Sequence, residues 1–414
     1  MSILEKKLQD YAKLIVRIGV NVQKNQVVVI NSIIEAYPLT RLVVEQSYKV
    51  GAKKVIINWN DGQITKANYS YQSLETLLDI PQYEIDHMNI PVVQDGACRI
   101  NIGGNSPEML KGVDSLKISE ITKKNGIVFK SLRDWTMASK CQWTIAYYPS
   151  VEWAKIVFPK LPQEKAVTKL FDAIFKTVRV DGKNDPVLLW KKHNAETTKW
   201  AATLNKFNFD HLHFKNKLGT DVKIKLVKNH IWGSGEHKGD NNPVPNFTAN
   251  LPTEEVWCMP DMFGLNGHVV ATKPLSYSGN LIDKFWFDFK NGEVVKYDAK
   301  IGKKVLDEIF KIEGAKRTGE IALVPKTSPI NLSKILFYAT LFDENAACHI
   351  ALGASYPSNL KDGTNMTSEE LLKHNSNQSI VHIDFMFGSD DMNVFGFKEG
   401  KKPVQVMKNG LLVI

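Results

Sequence analysis

The chain has 414 residues, of which 43% are hydrophobic and 23% charged, as is usual for a folded globular protein. This length predicts at least two domains, and because no run of about eighteen apolar residues is present, we expect no membrane-spanning helix. The formal net charge is +9, but the basic residues alternate with acidic ones and no nucleic-acid-binding motif accompanies them, so we expect no nucleic-acid partner.

The amino-terminal segment and the cysteines both bear on the cellular compartment. Residues 1–26 mix acidic and basic side chains and lack the apolar core and cleavage site of a secretion signal. The four cysteines are far apart and form no C-x-x-C pair, which argues against a disulfide framework and against a structural zinc site. We therefore expect a cytoplasmic protein with free thiols.

The first half of the chain alternates predicted strands and helices. Four apolar runs predict strands: residues 26–34, 53–61, 97–104 and 141–149. A helix is predicted over 40–52, ending at Gly51, and the segment "SLRDWTMASK" predicts another. Longer amphipathic helices follow at 164–178 and 185–207. Alternating strands and helices favour a mainly parallel sheet covered by helices.

After the last of these helices the pattern changes to period-two alternation, which is typical of antiparallel strands. Asn291 and Gly292 form an Asn-Gly pair, the strongest short signal for a β-hairpin. The glycine-rich segment 233–243 has neither dinucleotide-binding nor P-loop spacing, and we expect it to be a surface loop. The predicted fold is an α/β amino-terminal domain, residues 1–207, followed by a β-rich α+β domain, residues 208–414, that carries the metal site described below.

Residues 379–391, "SIVHIDFMFGSDD", place two ionisable groups inside a predicted buried strand. His382 and Asp384 share one face of that strand with Met386 because side chains alternate. The intervening residues are apolar and point the other way: Val381, Ile383, Phe385 and Phe387. Taken alone, the pair is compatible with a histidine and a carboxylate that simply satisfy each other in a core.

Three further segments carry acids or histidines among apolar or small residues: "NLPTEEVWCMPD", "RTGEIALVP" and "LFDENAACHIALGASY". Taken separately, Glu254 and Glu255 are typical of an exposed pair after a proline turn, and Glu320 of a solvated strand end. Glu344 and His349 are harder to explain in this way, because they flank a run of small residues that allows close packing. Together the segments place ionisable residues where the surrounding sequence predicts burial, which is common at functional sites.

Apart from Arg317, which opens its segment, these segments contain no lysine or arginine that could neutralise their carboxylates. Several carboxylates buried together need a compensating positive charge, and a pair of divalent cations would supply it. Mixed imidazole and carboxylate ligands suit Zn²⁺, Co²⁺ or Mn²⁺. The pattern therefore predicts a two-metal hydrolase.

The segments "NLPTEEV", "RTGEIALVP", "LFDENAACHIALG" and "SIVHIDFMFGS" resemble, in this order, the motifs of the thermophilic-type metalloaminopeptidase family, to which aminopeptidase T and aminopeptidase S belong. The amino-terminal "YAKLIVRIGVNVQKNQ" resembles the opening helix of that family, so the resemblance covers nearly the whole chain. It implies an enzyme that releases amino acids from peptides with a free N-terminus, and a homodimer that encloses its active site.

The resemblance also implies roles for individual residues. It implies two divalent ions per subunit (Zn²⁺, Co²⁺, Mn²⁺ or Mg²⁺) and these ligands: Glu255, Glu320, Glu344, His349, His382 and Asp384. Glu254 stays open as an alternative ligand or as the general base. Tyr356 matches the active-site tyrosine of the family and, with Glu320 as a bridging ligand, is expected to be catalytic.

Two other interpretations remain open at this point. The first is a noncatalytic protein that binds a small ligand and uses the acidic cluster as a structural metal site. The second is a two-metal hydrolase of another amide or of phosphate esters, because such sites serve several chemistries. A structural metal site is filled by protein ligands, whereas a catalytic one keeps a position open.

Overall fold

A computed structural model describes residues 2–237, 244–277 and 279–414 of the chain. Residues 238–243, part of the expected surface loop, lie outside the described residues. The helices are α1 Ile3–Leu14, α2 Tyr37–Lys49, α3 Gly62–Tyr71, α4 Leu74–Leu78, α5 Gln82–Asn89, α6 Ser115–Val128, α7 Lys130–Met137, α8 Val151–Val157, α9 Gln163–Thr177, α10 Pro186–Phe207, α11 Lys303–Ile309, α12 Pro329–Ser333, α13 Thr340–Glu344 and α14 Ser368–Lys373.

The strands are β1 Val27–Ile33, β2 Lys54–Asn60, β3 Cys98–Gly103, β4 Trp143–Tyr147, β5 His211–Lys215, β6 Asp221–Leu226, β7 Gly233–Ser234, β8 Glu236–His237, β9 Phe247–Thr248, β10 Val256–Cys258, β11 Pro260–Val270, β12 Leu275–Tyr277, β13 Asn280–Lys290, β14 Glu293–Ile301, β15 Thr318–Leu323, β16 His349–Gly353, β17 His382–Met386, β18 Asn393–Phe397, β19 Val404–Lys408 and β20 Leu411–Leu412.

The chain divides into two compact units. The first comprises Met1–His193 and Glu236–Pro252, and the second comprises Asn194–Gly235 and Thr253–Ile414. This division differs from a single boundary at residue 207 in two respects: it falls inside α10, and the segment 236–252 returns to the first unit.

The return of this segment has a local cause in backbone hydrogen bonds beside β4. The Ile145 N–H donates to the Ala249 carbonyl at 2.8 Å, and the Leu251 N–H donates to the Ile145 carbonyl at 3.0 Å. The Thr144 hydroxyl also donates to the Thr248 carbonyl at 2.8 Å. Such long-range pairing along an edge strand leaves no signal in local sequence patterns.

The first unit contains the parallel sheet that the alternating pattern predicted. Its strands lie in the order β2-β1-β3-β4, and all three pairings are parallel. The predicted helix ending at Gly51 is α2, with Gly51 in the left-handed region at a φ of 98°. A glycine at this point ends the helix without the penalty that a Cβ atom would bring.

Three asparagines form a polar row across this parallel sheet. Asn31 is in register with Asn58 on one side and with Asn101 on the other. Asn58 donates to Asn31 at 2.9 Å, and Asn31 donates to Asn101 at 2.9 Å, both through side-chain amides. Because each amide has a donor and an acceptor, neighbouring amides bond to one another, and the Asn58 side-chain oxygen at the end of the row lies 2.7 Å from His87 Nε2.

The described part of the second unit is built from antiparallel sheets. The larger sheet has nine strands, in the order β12-β13-β11-β6-β5-β18-β19-β20 with β14 beside β13, and the smaller has the order β17-β16-β15-β10-β7. Asn291 and Gly292 join β13 to β14 with φ values of 51° and 76°, which confirms the predicted hairpin. Apolar residues of both sheets form one buried cluster.

The four cysteines are free and buried, as expected from their spacing. Burial raises the pKa of Cys141 and of Cys348 to about 11, so both thiols stay protonated and unreactive at neutral pH. Among the described residues, none of the helices combines the length and the apolar character needed to cross a membrane.

Candidate metal centre

The candidate site lies on one face of the smaller sheet of the second unit. Glu320 on β15 is in register with Ala351 on β16, which in turn pairs with Asp384 on β17. His349 and His382 lie two residues from these positions along their strands and therefore share the same face. Since Ala351 carries only a methyl group, the side chains on either side can extend over it.

The other face of this sheet belongs to the core. Its residues alternate with the site residues and belong to the buried apolar cluster: Ile321, Leu323, Ile350, Leu352, Ile383 and Phe385. The alternation predicted for residues 381–387 is therefore confirmed. One face of the sheet packs against the core of the unit, which leaves the opposite face available for polar groups.

Gly319 explains how Glu320 joins the row. The β15–β16 register shifts between Thr318 and Glu320, so Gly319 is an extra residue in β15. A Cβ atom at Gly319 would lie 2.1 Å from the Ala354 carbonyl oxygen, a distance that no side chain permits. Only glycine allows this close approach of the two backbones, which is a usual role of glycine at a bulge.

The first group of candidate ligands comprises Glu255, Glu320 and His349, whose ligand atoms all lie within 4.8 Å of one another. The His349 Nε2 atom is 3.0 Å from Glu255 Oε2 and 3.4 Å from Glu320 Oε1. All three residues are buried. The exposed glutamate pair and the solvated strand end that these segments suggested in isolation are therefore wrong for Glu255 and Glu320.

The second group comprises Glu320, His382 and Asp384, again with ligand atoms within 4.8 Å of one another. The His382 Nε2 atom is 3.4 Å from Asp384 Oδ1 and 3.8 Å from Glu320 Oε2. Glu320 thus belongs to both groups, with Oε1 towards His349 and Oε2 towards His382. A carboxylate with one oxygen in each of two ligand groups has the arrangement of a bridging ligand.

Three buried atoms of these groups have no hydrogen-bond partner in the described structure, namely Glu255 Oε2, His349 Nε2 and Asp384 Oδ1. Although Glu255 Oε2 and His349 Nε2 are only 3.0 Å apart, they are not aligned for a hydrogen bond. Buried polar atoms are rarely left unsatisfied. Potential ligand atoms that converge without bonding to each other fit a shared cation, so the residues present fit divalent metal ions.

Both histidines are oriented by their other ring nitrogen. His349 Nδ1 lies 3.2 Å from the Ala347 carbonyl oxygen, and His382 Nδ1 lies 2.7 Å from the Ala354 carbonyl oxygen. A carbonyl only accepts, so Nδ1 carries a proton in each ring, and Nε2 is the nitrogen that faces the carboxylates. Metal-binding histidines usually have this support.

The site concentrates negative charge. Burial raises the pKa of Glu320, and the carboxylates of Asp384 and Glu255 add to this effect against the opposing histidines. Burial opposes the charged form of His382, but Asp384 outweighs burial and raises the pKa of His382 to about 9. His349 behaves in the same way: Glu255 and Glu320 outweigh burial and raise its pKa well above the usual value. Protons on the two histidines thus offset the negative charge of the carboxylates, which a bound cation would also do.

Glu344 lies at the end of α13, half-buried, and belongs to neither three-residue group found among the described residues. It lines a small cavity together with Asp384 and Met386. Burial raises the pKa of Glu344 well above its usual value, and the carboxylates of Asp384 and Glu255 raise it further. Its role as a ligand therefore remains a prediction, at the margin of the second group.

Of the two adjacent glutamates, only Glu255 belongs to a ligand group among the described residues. Glu254 is also buried, and its backbone N–H donates to the Asn345 side-chain oxygen at 2.7 Å. Asn345 is fully buried, and its NH₂ group in turn donates to the Leu341 carbonyl at 3.0 Å. Our sequence analysis missed Asn345; the only available signal was a polar residue inside a run of small ones.

Tyr356 lies beside the second group. Its ring centroid is 4.6 Å from that of His382, with the ring planes tilted by 55°. Burial raises the pKa of Tyr356 well above its usual value, and the carboxylates of Glu320 and Asp384 contribute further. The hydroxyl therefore keeps its proton at neutral pH and is able to donate a hydrogen bond.

Asn377 is a second buried residue that our sequence analysis missed. Its side-chain amide donates to the carbonyl oxygens of Gly353 at 2.6 Å and of Gly314 at 2.8 Å, and its backbone carbonyl accepts from the Ser355 N–H. These bonds hold the turn that contains Ala354, whose carbonyl orients His382. In the sequence, "HNSNQS" indicates only a turn.

Comparisons with known proteins agree with this geometry. The family model described as "Thermophilic metalloprotease (M29)" matches residues 4–412. The chain is 40% identical to "Aminopeptidase AmpS" of Bacillus subtilis over 99% of both sequences, and 34% identical to "Aminopeptidase T" of Thermus thermophilus over 100% of both. The solved structure "Wild-type AmpT from Thermus thermophilus" superposes with a TM-score of 0.91 at 33% identity and covers 99% of each chain. The chain belongs to the thermophilic metalloprotease (M29) family.

Proposed function

We propose that this protein is a metal-dependent aminopeptidase that releases the N-terminal residue of peptides at a two-metal site. The observation that carries the proposal is Glu320, which directs one carboxylate oxygen into each of two ligand groups. The relatives named aminopeptidases support the reaction class. Two ligand groups joined by one carboxylate are the protein's part of a two-metal hydrolytic site.

Six residues would hold the cations: Glu255, Glu320, Glu344, His349, His382 and Asp384. When bound, a pair of such ions polarises a peptide carbonyl and lowers the pKa of a shared water. Oxygen and imidazole donors without thiolates suit Zn²⁺, Co²⁺, Mn²⁺ or Mg²⁺. Cys348, next to His349, is not a candidate ligand, because burial raises the pKa of its thiol and it belongs to the buried apolar cluster.

Two residues would manage protons and developing charge. Glu254, buried beside Glu255 and fixed through its backbone by Asn345, is our candidate for the general base that accepts a proton from the attacking water and returns it to the leaving amine. Tyr356 remains protonated and would donate a hydrogen bond to the oxyanion that forms at the carbonyl.

Recognition of a free N-terminus requires an acceptor for the α-ammonium group. That acceptor would be a metal ion, or a carboxylate beside the ligand groups that the cations leave free. A carboxylate in this position would favour a charged amine over an acylated one. Internal peptide bonds, which present no such amine, would be poor substrates.

The test is the release of amino acids from short peptides with free or acetylated N-termini, with metal-stripped protein to which each cation is restored in turn. We expect cleavage only of free-amine peptides and only with a metal. The matched control is Glu320→Gln, which keeps the shape of the side chain and removes its charge. Cleavage of phosphate esters without cleavage of peptides, or no cleavage with any cation, would overturn the proposal.

We also propose that the enzyme works in the cytoplasm as a homodimer. Four buried free thiols are consistent with a reducing compartment. The dimer rests on the family resemblance alone. Light scattering coupled to size-exclusion chromatography tests it: twice the chain mass of 46.7 kDa is expected, and a monomer that retains full activity would contradict it.

A further inference from the structure

A cavity elsewhere in the second unit is lined by three lysines. Lys273, Lys326 and Lys334 all border it, and Asp390 is its one acidic residue. The remaining lining is neutral, so the cavity carries an excess of positive charge. This contrasts with the metal centre, where carboxylates dominate.

None of the ion pairs found among the described residues involves these three lysines. The Lys273 ammonium donates to the Asn331 side-chain oxygen at 3.3 Å, and the Lys326 ammonium donates to the Asp390 backbone carbonyl at 3.3 Å. Both acceptors are neutral, so they orient the ammonium groups without cancelling their charge. A small anion with several oxygen acceptors would complete such a site.

The cavity is supported by packed and hydrogen-bonded residues. Asn331 is only 7% exposed, accepts from Lys273 and donates through its NH₂ group to the Lys326 carbonyl at 2.8 Å. A Cβ atom at Gly410 would lie 3.1 Å from the Lys326 Cδ atom, so glycine leaves room for the lysine stem. Burial lowers the pKa of Lys273, and the neighbouring Lys334 lowers it further; a bound anion would relieve both effects.

The strand register relates the cavity to the metal ligands. Ala322, His349 and Met386 form one row across β15, β16 and β17. The cavity is lined by Val324, Ala347 and Gly388, each two residues from a member of that row. Two residues of extended chain correspond to about 7 Å, and these three residues lie just past the ends of their strands, so the cavity begins about that far beyond the row that contains His349.

One segment borders both places. Thr272 and Lys273 line the lysine cavity, whereas Pro274, Leu275 and Ser276 line the small cavity next to Asp384 and Glu344. A peptide that leaves the metal centre along residues 272–276 would therefore arrive at the lysines. An extended peptide spans about 3.3–3.6 Å per residue, so two or three residues cover the distance.

We propose that the cavity lined by Lys273, Lys326 and Lys334 binds the C-terminal carboxylate of short peptide substrates. The inference rests on the proposed aminopeptidase function and gives it a substrate class, namely di- and tripeptides with a free C-terminus. A longer peptide would place its carboxylate past the lysines, and a C-terminal amide would lack the charge that they recognise.

The experiment compares kcat and KM for di- and tripeptides and for their C-terminal amides, in the wild type, in three variants of the cavity and in one control variant. For wild type we expect KM to be about tenfold lower for the acids, as one charge-assisted hydrogen bond predicts, with similar kcat. Lys326→Met and Lys273→Met should raise KM for the acids and leave the amides unchanged, and Lys326→Arg should restore most of the preference. The matched control is Lys300→Met, an exposed lysine on β14 that does not line the cavity.

A binding measurement separates this inference from the proposed function. Calorimetry with metal-free protein and N-acetylated dipeptides should detect the free acids and not the amides, and Lys326→Met should abolish the signal. Equal kinetics for acids and amides would overturn the inference while leaving the aminopeptidase intact, whereas absence of cleavage of every peptide would overturn the function. If inorganic phosphate binds to the cavity without competing with the peptide acids, the lysines serve a separate anion and the inference is wrong.

Discussion

Two sheets of this protein each carry a polar row in register across three strands, and the rows differ in their chemistry. In the parallel sheet of the first unit, Asn58, Asn31 and Asn101 donate to and accept from one another at 2.9 Å. In the antiparallel sheet of the second unit, Glu320 and Asp384 flank Ala351, and their oxygens face the Nε2 atoms of His349 and His382. Hydrogen bonds join the members of the first row, whereas the second row has buried ligand atoms without a hydrogen-bond partner in the described structure.

The comparison teaches which polar residues inside a sheet indicate a site. Amides contain both donors and acceptors, so neighbouring amides in a row bond to one another and stabilise the sheet. Ionised carboxylates only accept, and a histidine whose Nδ1–H is already engaged has only its Nε2 atom left to face them. A buried row of such groups is costly unless a cation binds, and Glu255 Oε2, His349 Nε2 and Asp384 Oδ1 are the atoms left unsatisfied.

The largest effect is expected from Glu320→Gln, which removes the carboxylate common to both ligand groups. The amide keeps the volume but introduces donors that face the histidines. If the metals contribute about 4 kcal/mol to transition-state stabilisation, kcat/KM should fall about a thousandfold. Steady-state kinetics with a metal analysis of the purified variant tests this; wild-type activity with reduced metal would contradict the bridging role.

Tyr356→Phe should impair turnover and spare metal binding. Loss of one hydrogen bond to the oxyanion typically costs about 10²- to 10³-fold in kcat. Metal content, measured on the same preparation, should equal that of the wild type. A drop in bound metal would mean that the hydroxyl supports the ligands instead.

Asn377→Ala tests whether the turn that orients His382 matters for the metal centre. Without the amide, the Gly353 and Gly314 carbonyls lose their donor and the Ala354 carbonyl is less firmly held. Supporting residues of this kind typically change metal affinity about 10- to 100-fold. Competition with a fluorescent chelator gives the affinity. The matched control is Gln378→Ala, whose only side-chain bond in the described structure is to Ser376 at 3.3 Å, and an equal loss in both variants would argue against the assigned role.

Metal removal should lower the thermal stability of the protein only when the row that contains Glu320 and Asp384 is intact. A chelator should lower the thermal midpoint of the wild type, because ligand at 100 times its dissociation constant contributes about 2.7 kcal/mol. Glu320→Gln should unfold at the same temperature with or without chelator. Calorimetry checks this, and an equal response of both proteins would mean that the bound metal lies elsewhere.

The smallest effect is expected from Asn31→Ala, which interrupts the asparagine row. Asn58 and Asn101 each lose a half-buried partner, so stability should fall by about 1 kcal/mol. Metal content, kcat and the chelator response should stay at wild-type values. Denaturant titration of this variant measures the loss; a change in metal content would show that the two rows are not independent.

Much of the architecture follows from sequence pattern. The apolar runs that predicted strands at 26–34, 53–61, 97–104 and 141–149 correspond to β1–β4, and the Asn291–Gly292 hairpin is present. These features are local, which is why periodicity and turn residues reveal them. The alternation in residues 381–387 likewise separated the core face from the site face.

The features that sequence reasoning missed depend on long-range contacts. Residues 236–252 join the first unit through hydrogen bonds to Ile145, which lies about a hundred residues earlier in the chain. Glu254, Glu255 and Glu320 are buried, although each segment taken alone suggested exposure. Their burial follows from the pairing of β10, β15, β16 and β17, and no single segment encodes that pairing.

The most direct test of the central claim is the number of metal ions bound per chain at full activity, obtained by titrating metal-stripped protein with one cation and measuring bound metal and peptide cleavage together. Two ligand groups that share Glu320 predict that cleavage in the wild type reaches its plateau at two bound ions per chain. The Glu320→Gln variant should reach neither the two bound ions nor the plateau of cleavage. A plateau at one ion, or cleavage that is independent of bound metal, would contradict the claim.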